Sequence, residues 1–126
     1  MRKLVIILIV LVISGGALAI LNNYNNQRAD EFSLDDYKRE ITIFSSDKIL
    51  GSVPDAKTAR KLAVQIWTEG YGSETINGEK PFLVYFDDAN QVWLVTGSLP
   101  WGYKGGVANI LIQKEDGKVL AVWHDE

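Results

Sequence analysis

The side chains able to do acid–base or metal chemistry are few, and the most versatile of them stands near the C-terminus. His124 is the only histidine, and Asp125 and Glu126 follow it. A metal or general-base role would require partners held rigidly around the imidazole ring. Because the last residues of a domain are usually poorly ordered, we expect His124 to be frayed and solvated, without a catalytic role.

Two groups of carboxylates could bind a cation or form an acid–base pair. Asp87 and Asp88 are adjacent, but they fall in a predicted turn, where aspartate is favoured for backbone reasons alone. The other group, near the beginning of the domain, consists of Asp30, Glu31, Asp35 and Asp36. It lacks the alternating ligand spacing of a calcium-binding loop. We therefore expect both groups to be solvated charges.

Nucleophiles and phosphate-binding loops are equally poorly supported. The chain has no cysteine, which excludes disulfides, thiolate metal sites and cysteine nucleophiles. Ser98 lacks the flanking glycine spacing of a nucleophile elbow. The glycine-rich run 102–106 is not followed by a Lys-Ser/Thr pair that opens a helix. The sequence thus predicts no catalytic residue, no metal site and no cofactor, and we expect the protein not to be an enzyme.

One loop has the residue types of a protein-binding surface. It follows a predicted strand and contains Pro100, Trp101, Tyr103 and Lys104, with Gly102 between the two aromatic residues. Exposed aromatic residues are frequent hot spots of protein interfaces. Either the two rings project as anchors for a partner, or one or both fold back over the edge of the sheet.

An amphipathic helix beginning after Asp55 is the clearest element in the sequence. Asp55 is a favourable capping residue, and glycines at 70 and 72 are expected to end the helix. The residues at the spacing of a single helical face are Ala59, Leu62, Ala63, Ile66 and Trp67. We expect Trp67 to supply most of the area that this face buries against a sheet.

Strand-like runs and turns alternate after this helix. The predicted strands are 82–86, 91–96, 107–113 and 118–123, and Asp116-Gly117 is a strong hairpin signal. They predict a four-strand antiparallel meander covered by the main helix, which is an α+β fold. Before the main helix we expect a short helix capped by Ser33 and a short strand at 41–44.

The first residues predict a membrane-targeting helix. Arg2 and Lys3 precede an uncharged apolar stretch, 4–21, of 18 residues. It is either a cleaved signal peptide or an uncleaved anchor, since a helix of this length spans about 27 Å. Basic residues stay on the cytoplasmic side, so we expect an extracytoplasmic domain, membrane-anchored or secreted. The predicted organisation is a targeting segment (1–21), a polar tether (22–32) and one domain (33–126).

The charge balance argues against a nucleic-acid partner. The formal net charge is −3 and becomes about −5 once the two leading basic residues are removed. Nucleic-acid recognition requires a basic surface. An acidic face instead suits a basic protein partner, or simply solubility.

A set of short sequence motifs that begins at the main helix matches a known family in order and spacing. These motifs are residues 55–59, 66–67, 71–72, 80–82, 92–100, 105–108 and 112–120. Together they resemble the bacterial immunity proteins with a nuclear-transport-factor-2-like fold. The resemblance implies a binding protein that neutralises a protein toxin of an interbacterial competition system, without catalysis or cofactor.

Two features depart from the common form of that family, and a second resemblance stands beside it. Trp101 occupies a position that usually holds a less bulky residue, and the membrane segment would make a cytoplasmic nuclease the wrong target. The segment 114–123 also resembles PepSY domains, exported modules proposed to restrain peptidases. An isomerase-like enzyme of the larger fold superfamily would need an ionisable residue deep in a pocket, and the predicted strands offer no convincing candidate.

Overall fold

The computed structural model describes residues 29–125. The predicted targeting segment and the predicted tether up to residue 28 lie outside the described residues. Among residues 29–125, no helix is long and apolar enough to cross a membrane. The division into targeting segment, tether and domain therefore stays a prediction.

The described chain forms a mixed sheet with helices on both of its faces. In chain order the elements are β1 (Asp30–Glu31), a 3₁₀ helix (Leu34–Tyr37), α1 (Lys38–Ile43), α2 (Ala56–Tyr71), α3 (Ser73–Asn77), β2 (Leu83–Asp87), β3 (Val92–Thr96), β4 (Ala108–Gln113) and β5 (Val119–His124). The α+β class is confirmed, and the main helix and the four later strands lie where the sequence predicts them.

Helix α2 packs across one face of the sheet through the side chain of Trp67. The Asp55 carboxylate accepts the Thr58 N–H at 2.8 Å and caps the helix, as predicted. Trp67 is fully buried, and its ring centroid lies 5.7 Å from that of Phe82. Its Nε1–H donates to the Asn109 carbonyl on β4 at 3.3 Å. The predicted contact of this helix face with the sheet is therefore confirmed.

The sheet has five strands, so the prediction of a purely antiparallel four-strand sheet is wrong. Strands β2 to β5 do form an antiparallel meander in sequence order, but β1 adds to its edge in parallel with β2. Asp30 lies opposite Tyr85, and Glu31 lies opposite Phe86. A strand of two exposed acidic residues has no apolar alternation by which a sequence pattern could reveal it.

A second layer, built from the N-terminal part of the described chain, covers the other face of the sheet. Its partly buried residues pack on a separate core cluster formed by Val92, Leu94, Leu111, Ala121 and Trp123. The covering residues include Phe32, Leu34, Tyr37 and Ile41. Strands β3 and β4 are consequently buried on both faces.

The predicted strand at 41–44 is wrong, because this stretch belongs largely to α1. Tyr37 and Ile41 are one helical turn apart, and both pack on the second core cluster. Phe44 follows the helix and stacks on Trp123 with ring centroids 6.2 Å apart. Burial of this face outweighs the preference of β-branched residues for strands.

Candidate functional site

The loop between β3 and β4 is anchored at its base by hydrogen bonds to neighbouring segments. The Gly97 N–H donates to the Ala108 carbonyl at 2.9 Å, and the Ser98 N–H donates to the Glu79 carbonyl at 2.7 Å. The Ser98 hydroxyl donates to the Pro81 carbonyl at 2.6 Å. These bonds fix the direction in which the loop leaves the sheet.

Both aromatic rings of the loop project into solvent. Trp101 is 98% exposed and Tyr103 is 71% exposed, so the folded-back alternative is wrong. Pro100 and Lys104 are exposed as well, and the Tyr103 N–H donates to the Pro100 carbonyl at 3.1 Å. The four predicted protein-binding residues therefore lie together in one exposed loop, and their binding role stays a prediction.

A buried carboxylate that sequence reasoning missed lies beneath the base of this loop. Glu79 is only 6% exposed. Its Oε1 accepts the Ala108 N–H at 2.6 Å, and its Oε2 lies 2.8 Å from His124 Nε2. The carboxylate fits because Gly97 has no side chain, since a Cβ there would lie 2.5 Å from Oε1. Glu79 thus joins the first residue of β4 to the last residue of β5.

His124 is ordered at the end of β5, so the expectation of a frayed, solvated terminus is wrong. Its Nδ1 lies 2.8 Å from the Asp125 carbonyl oxygen, and its Nε2 faces the Glu79 carboxylate. Both partners are acceptors when the carboxylate is ionised, so both ring nitrogens must then carry a proton. The geometry therefore fits an imidazolium–carboxylate pair joined by a charge-assisted hydrogen bond.

The pKa values of His124 and of the neighbouring Tyr71 are both raised. Burial alone would lower the pKa of His124, but hydrogen bonds to Glu79 and to the Asp125 carbonyl, together with both acidic charges, raise it above its ordinary value. The ring of Tyr71 meets the imidazole edge-on, with centroids 5.3 Å apart. Burial raises the pKa of Tyr71, and the charge of Glu79 adds to this effect.

This pair has the bonding of a structural contact. Both carboxylate oxygens and both ring nitrogens have partners within the chain. A recess of about 290 Å³ lies nearby, lined by Ser46, Lys48, Ile66, Glu69, Gly70, Tyr71 and Val122. Neither Glu79 nor His124 lines that recess. The acid and base of this pair therefore do not face that recess.

The predicted acidic groups divide between structural and solvated roles. Asp87 is buried, which contradicts the expectation that it is solvated. Its carboxylate accepts the Leu34 N–H at 2.8 Å and the Asn90 side-chain amide at 2.9 Å. Although burial opposes ionisation, these hydrogen bonds hold the pKa of Asp87 below its ordinary value. Asp88 is exposed as expected, as are the four acidic residues near the beginning of the domain.

Metal binding finds no support in the part of the chain that the structure describes. Within residues 29–125, no three His, Cys, Asp or Glu side chains come together in a group that could hold a metal ion. The exposed aromatic loop above the Glu79–His124 pair is a feature available for recognition.

Comparison with known proteins identifies one family. The model of the NTF2 fold immunity proteins matches residues 58–126, which is more than half of the chain. The matched range includes most of α2, the strands β2 to β5, the aromatic loop and the Glu79–His124 pair. No curated protein and no solved structure matches the chain. The match favours the first of the two resemblances over PepSY domains.

Proposed function

Because the chain belongs to the NTF2 fold immunity protein family, we propose that it neutralises a protein toxin by binding it stoichiometrically. Immunity proteins of this type are typically not catalytic, which agrees with an acid–base pair whose polar atoms are already bonded within the chain. The fold then serves as a rigid support for a recognition surface.

The observation that carries the proposal furthest is the exposure of the loop formed by residues 99–106. Trp101 and Tyr103 leave most of their rings in water, although large aromatic residues gain by burial. Their loop is fixed at its base by Gly97 and Ser98, so less conformational entropy is lost when a partner covers the rings. We assign Pro100, Trp101, Tyr103 and Lys104 to the toxin-binding surface.

The test is co-expression with a candidate toxin, such as one encoded by a neighbouring gene, directed to the same compartment. The wild-type chain should restore growth and should be recovered with the toxin in a pull-down. Trp101→Ala together with Tyr103→Ala should weaken the complex by at least ~1–2 kcal/mol, because each ring is expected to anchor the interface. The fold should be unchanged, since neither ring belongs to the core.

A matched control distinguishes specific binding by this loop from non-specific binding through exposed apolar side chains. Ile49 is 67% exposed and lies outside the loop, so Ile49→Ala should leave the complex intact. Full binding by the double variant would reject the loop assignment alone. Absence of both complex and protection would reject neutralisation of that toxin, and protection at a many-fold excess of toxin would indicate turnover and an enzyme.

We also propose that the protein acts outside the cytoplasm, either anchored to the membrane or secreted. The support is the sequence of the first segment, where Arg2 and Lys3 precede the apolar stretch 4–21. Protease added to spheroplasts should digest the domain of an anchored protein, and the medium or periplasm should contain a cleaved one. Full protection until the inner membrane is lysed would contradict this location.

A further inference from the structure

A shallow basic recess lies beside the beginning of β2, on the side of the sheet that α2 covers. It has a volume of about 430 Å³ and is lined by Lys57, Arg60, Lys61, Val64, Lys80 and Phe82. Three of the four cationic residues come from the first half of α2, and Lys80 comes from the segment just before β2. Such a concentration of positive charge is unexpected in a chain whose net charge is −3.

The cations of this recess are not neutralised by the described part of the chain. None of the four forms an ion pair with a carboxylate of residues 29–125, whereas Lys38 lies 3.8 Å from Asp35 and Lys48 lies 3.5 Å from Glu69. The guanidinium of Arg60 donates through Nε to the Phe82 carbonyl at 3.3 Å, which holds it at the rim. Unpaired cations around a concave surface attract an anionic group.

Two acidic residues lie within two positions of these cations, and both are already engaged. Glu79 directly precedes Lys80, and its carboxylate bonds to the Ala108 N–H and to the His124 ring. The other is Asp55, at the beginning of α2. Its carboxylate accepts the Thr58 N–H at 2.8 Å as the cap of α2. That bond, together with the neighbouring charge of Lys57, lowers the pKa of Asp55 below its ordinary value. The cap therefore serves the helix terminus and does not fill the recess.

One hydrogen bond links the segment that lines the recess to the base of the aromatic loop. Pro81 lies between Lys80 and Phe82, and its carbonyl accepts the Ser98 hydroxyl at 2.6 Å. Ser98 directly precedes the loop that carries Trp101 and Tyr103. A partner that covers the loop therefore has the recess within reach, on the neighbouring segment to which the loop base is bonded.

We propose that this recess binds an acidic segment of the protein toxin, next to the aromatic loop, an inference that rests on the proposed function. The lining combines four cationic residues with Val64 and Phe82, so a protruding Glu side chain can place its methylene groups on the apolar part and its carboxylate among the cations. We infer a protein segment as the occupant because the proposed partner is a protein. The positive charge speeds association and selects an acidic partner. This contact complements the loop, which supplies apolar area.

A probe that does not depend on the toxin tests the chemistry of the recess. Binding of a fluorescein-labelled decaglutamate peptide to the full-length purified chain is followed by anisotropy at low salt. Lys57→Glu with Lys61→Glu should weaken binding about tenfold or more, because two attractive charges become repulsive. Both lysines are exposed and neither makes a side-chain hydrogen bond to another residue of the range 29–125, so the fold should be retained. Added salt should weaken the wild-type complex.

The control variant Lys38→Glu with Lys118→Glu changes the net charge equally and should bind like the wild type. Absence of peptide binding, or equal loss in both double variants, would overturn the inference. It would also be overturned if phosphatidylglycerol vesicles or single-stranded DNA, and not the peptide, required Lys57 and Lys61.

The toxin pull-down separates this inference from the proposed function. If the wild-type chain and the Lys57→Glu, Lys61→Glu variant capture the toxin equally, the recess does not bind it, while neutralisation stands. If the wild-type chain captures no toxin but still binds the peptide through these lysines, the proposed function fails for that toxin, and the preference of the recess for acidic segments is upheld.

Discussion

The Glu79–His124 pair predicts a stability that falls as the pH rises through neutrality. The pKa of His124 is raised in the folded protein, so the native state binds this proton more tightly than the unfolded state does. The stabilisation is then fully present below the ordinary histidine pKa of about 6.5 and is lost as the pH rises through the higher folded value. His124 is the only histidine, so no other imidazole titrates in this window.

The bonding of the pair limits the size of the effect. A hydrogen bond to a charged group contributes about 1.5–3 kcal/mol, but the side chain of His124 is 29% exposed while that of Glu79 is 8% exposed. Because solvent screens the more exposed partner, we expect a loss of about 1–2 kcal/mol in the free energy of unfolding. The slope cannot exceed about 1.4 kcal/mol per pH unit, since one proton is involved.

The variant Glu79→Gln removes the carboxylate charge but keeps groups able to form the same hydrogen bonds. Its amide oxygen can still accept the Ala108 N–H, and its amide nitrogen can donate to a neutral His124 ring. Urea denaturation followed by tryptophan fluorescence gives the free energy of unfolding of the wild type and of the variant. The series is repeated from about pH 5.5 to pH 8.5, the range around the ordinary histidine pKa. The wild type should lose stability with rising pH, and the variant should show a nearly flat profile.

Two results would refute this reasoning. A wild-type profile without a decline above the ordinary histidine pKa would mean that the proton on His124 does not stabilise the fold. An equal decline in Glu79→Gln would mean that the charge of Glu79 does not hold the stabilising proton. In either case the imidazolium–carboxylate assignment would have to be abandoned.

Two further predictions concern the packing of the two layers on the sheet. Trp67→Ala should lower the free energy of unfolding by about 3–5 kcal/mol, because a fully buried ring is removed. Trp67→Phe should lower it by less. An unchanged denaturation midpoint for the alanine variant would contradict the packing of α2 on the sheet. Asp87→Ala should cost about 1–3 kcal/mol, because it leaves the Leu34 N–H and the Asn90 amide without their acceptor. The pKa of Asp87 is lowered in the folded protein. The ionised carboxylate therefore stabilises the fold at pH values above the ordinary aspartate pKa, and this stabilisation should disappear as the pH falls through the pKa of Asp87 in the folded state. A denaturation series at acidic pH in which wild type and Asp87→Asn have the same pH dependence would argue against this contribution.

Local signals in the sequence were sufficient for the main helix and the meander. Asp55 caps α2 through the Thr58 amide, a bond between residues three positions apart, and Trp67 lies on the predicted apolar face. The Asp116-Gly117 pair joins β4 to β5, with Gly117 at a φ of +72° that favours glycine. Capping, helical periodicity and turn geometry act within a few residues, so the sequence displays them directly.

The second layer and the buried acid–base pair depended on contacts between distant segments. Asp87 accepts the Leu34 N–H, and Glu79 bonds to both Ala108 and His124. Nothing in the sequence around these two carboxylates indicates that they are buried. The sequence by itself determined the exposed aromatic loop as a candidate surface, through its residue types. Only the tertiary structure decided that Trp101 and Tyr103 face solvent and that Glu79 does not, because the exposure of a side chain depends on which remote backbone packs against it.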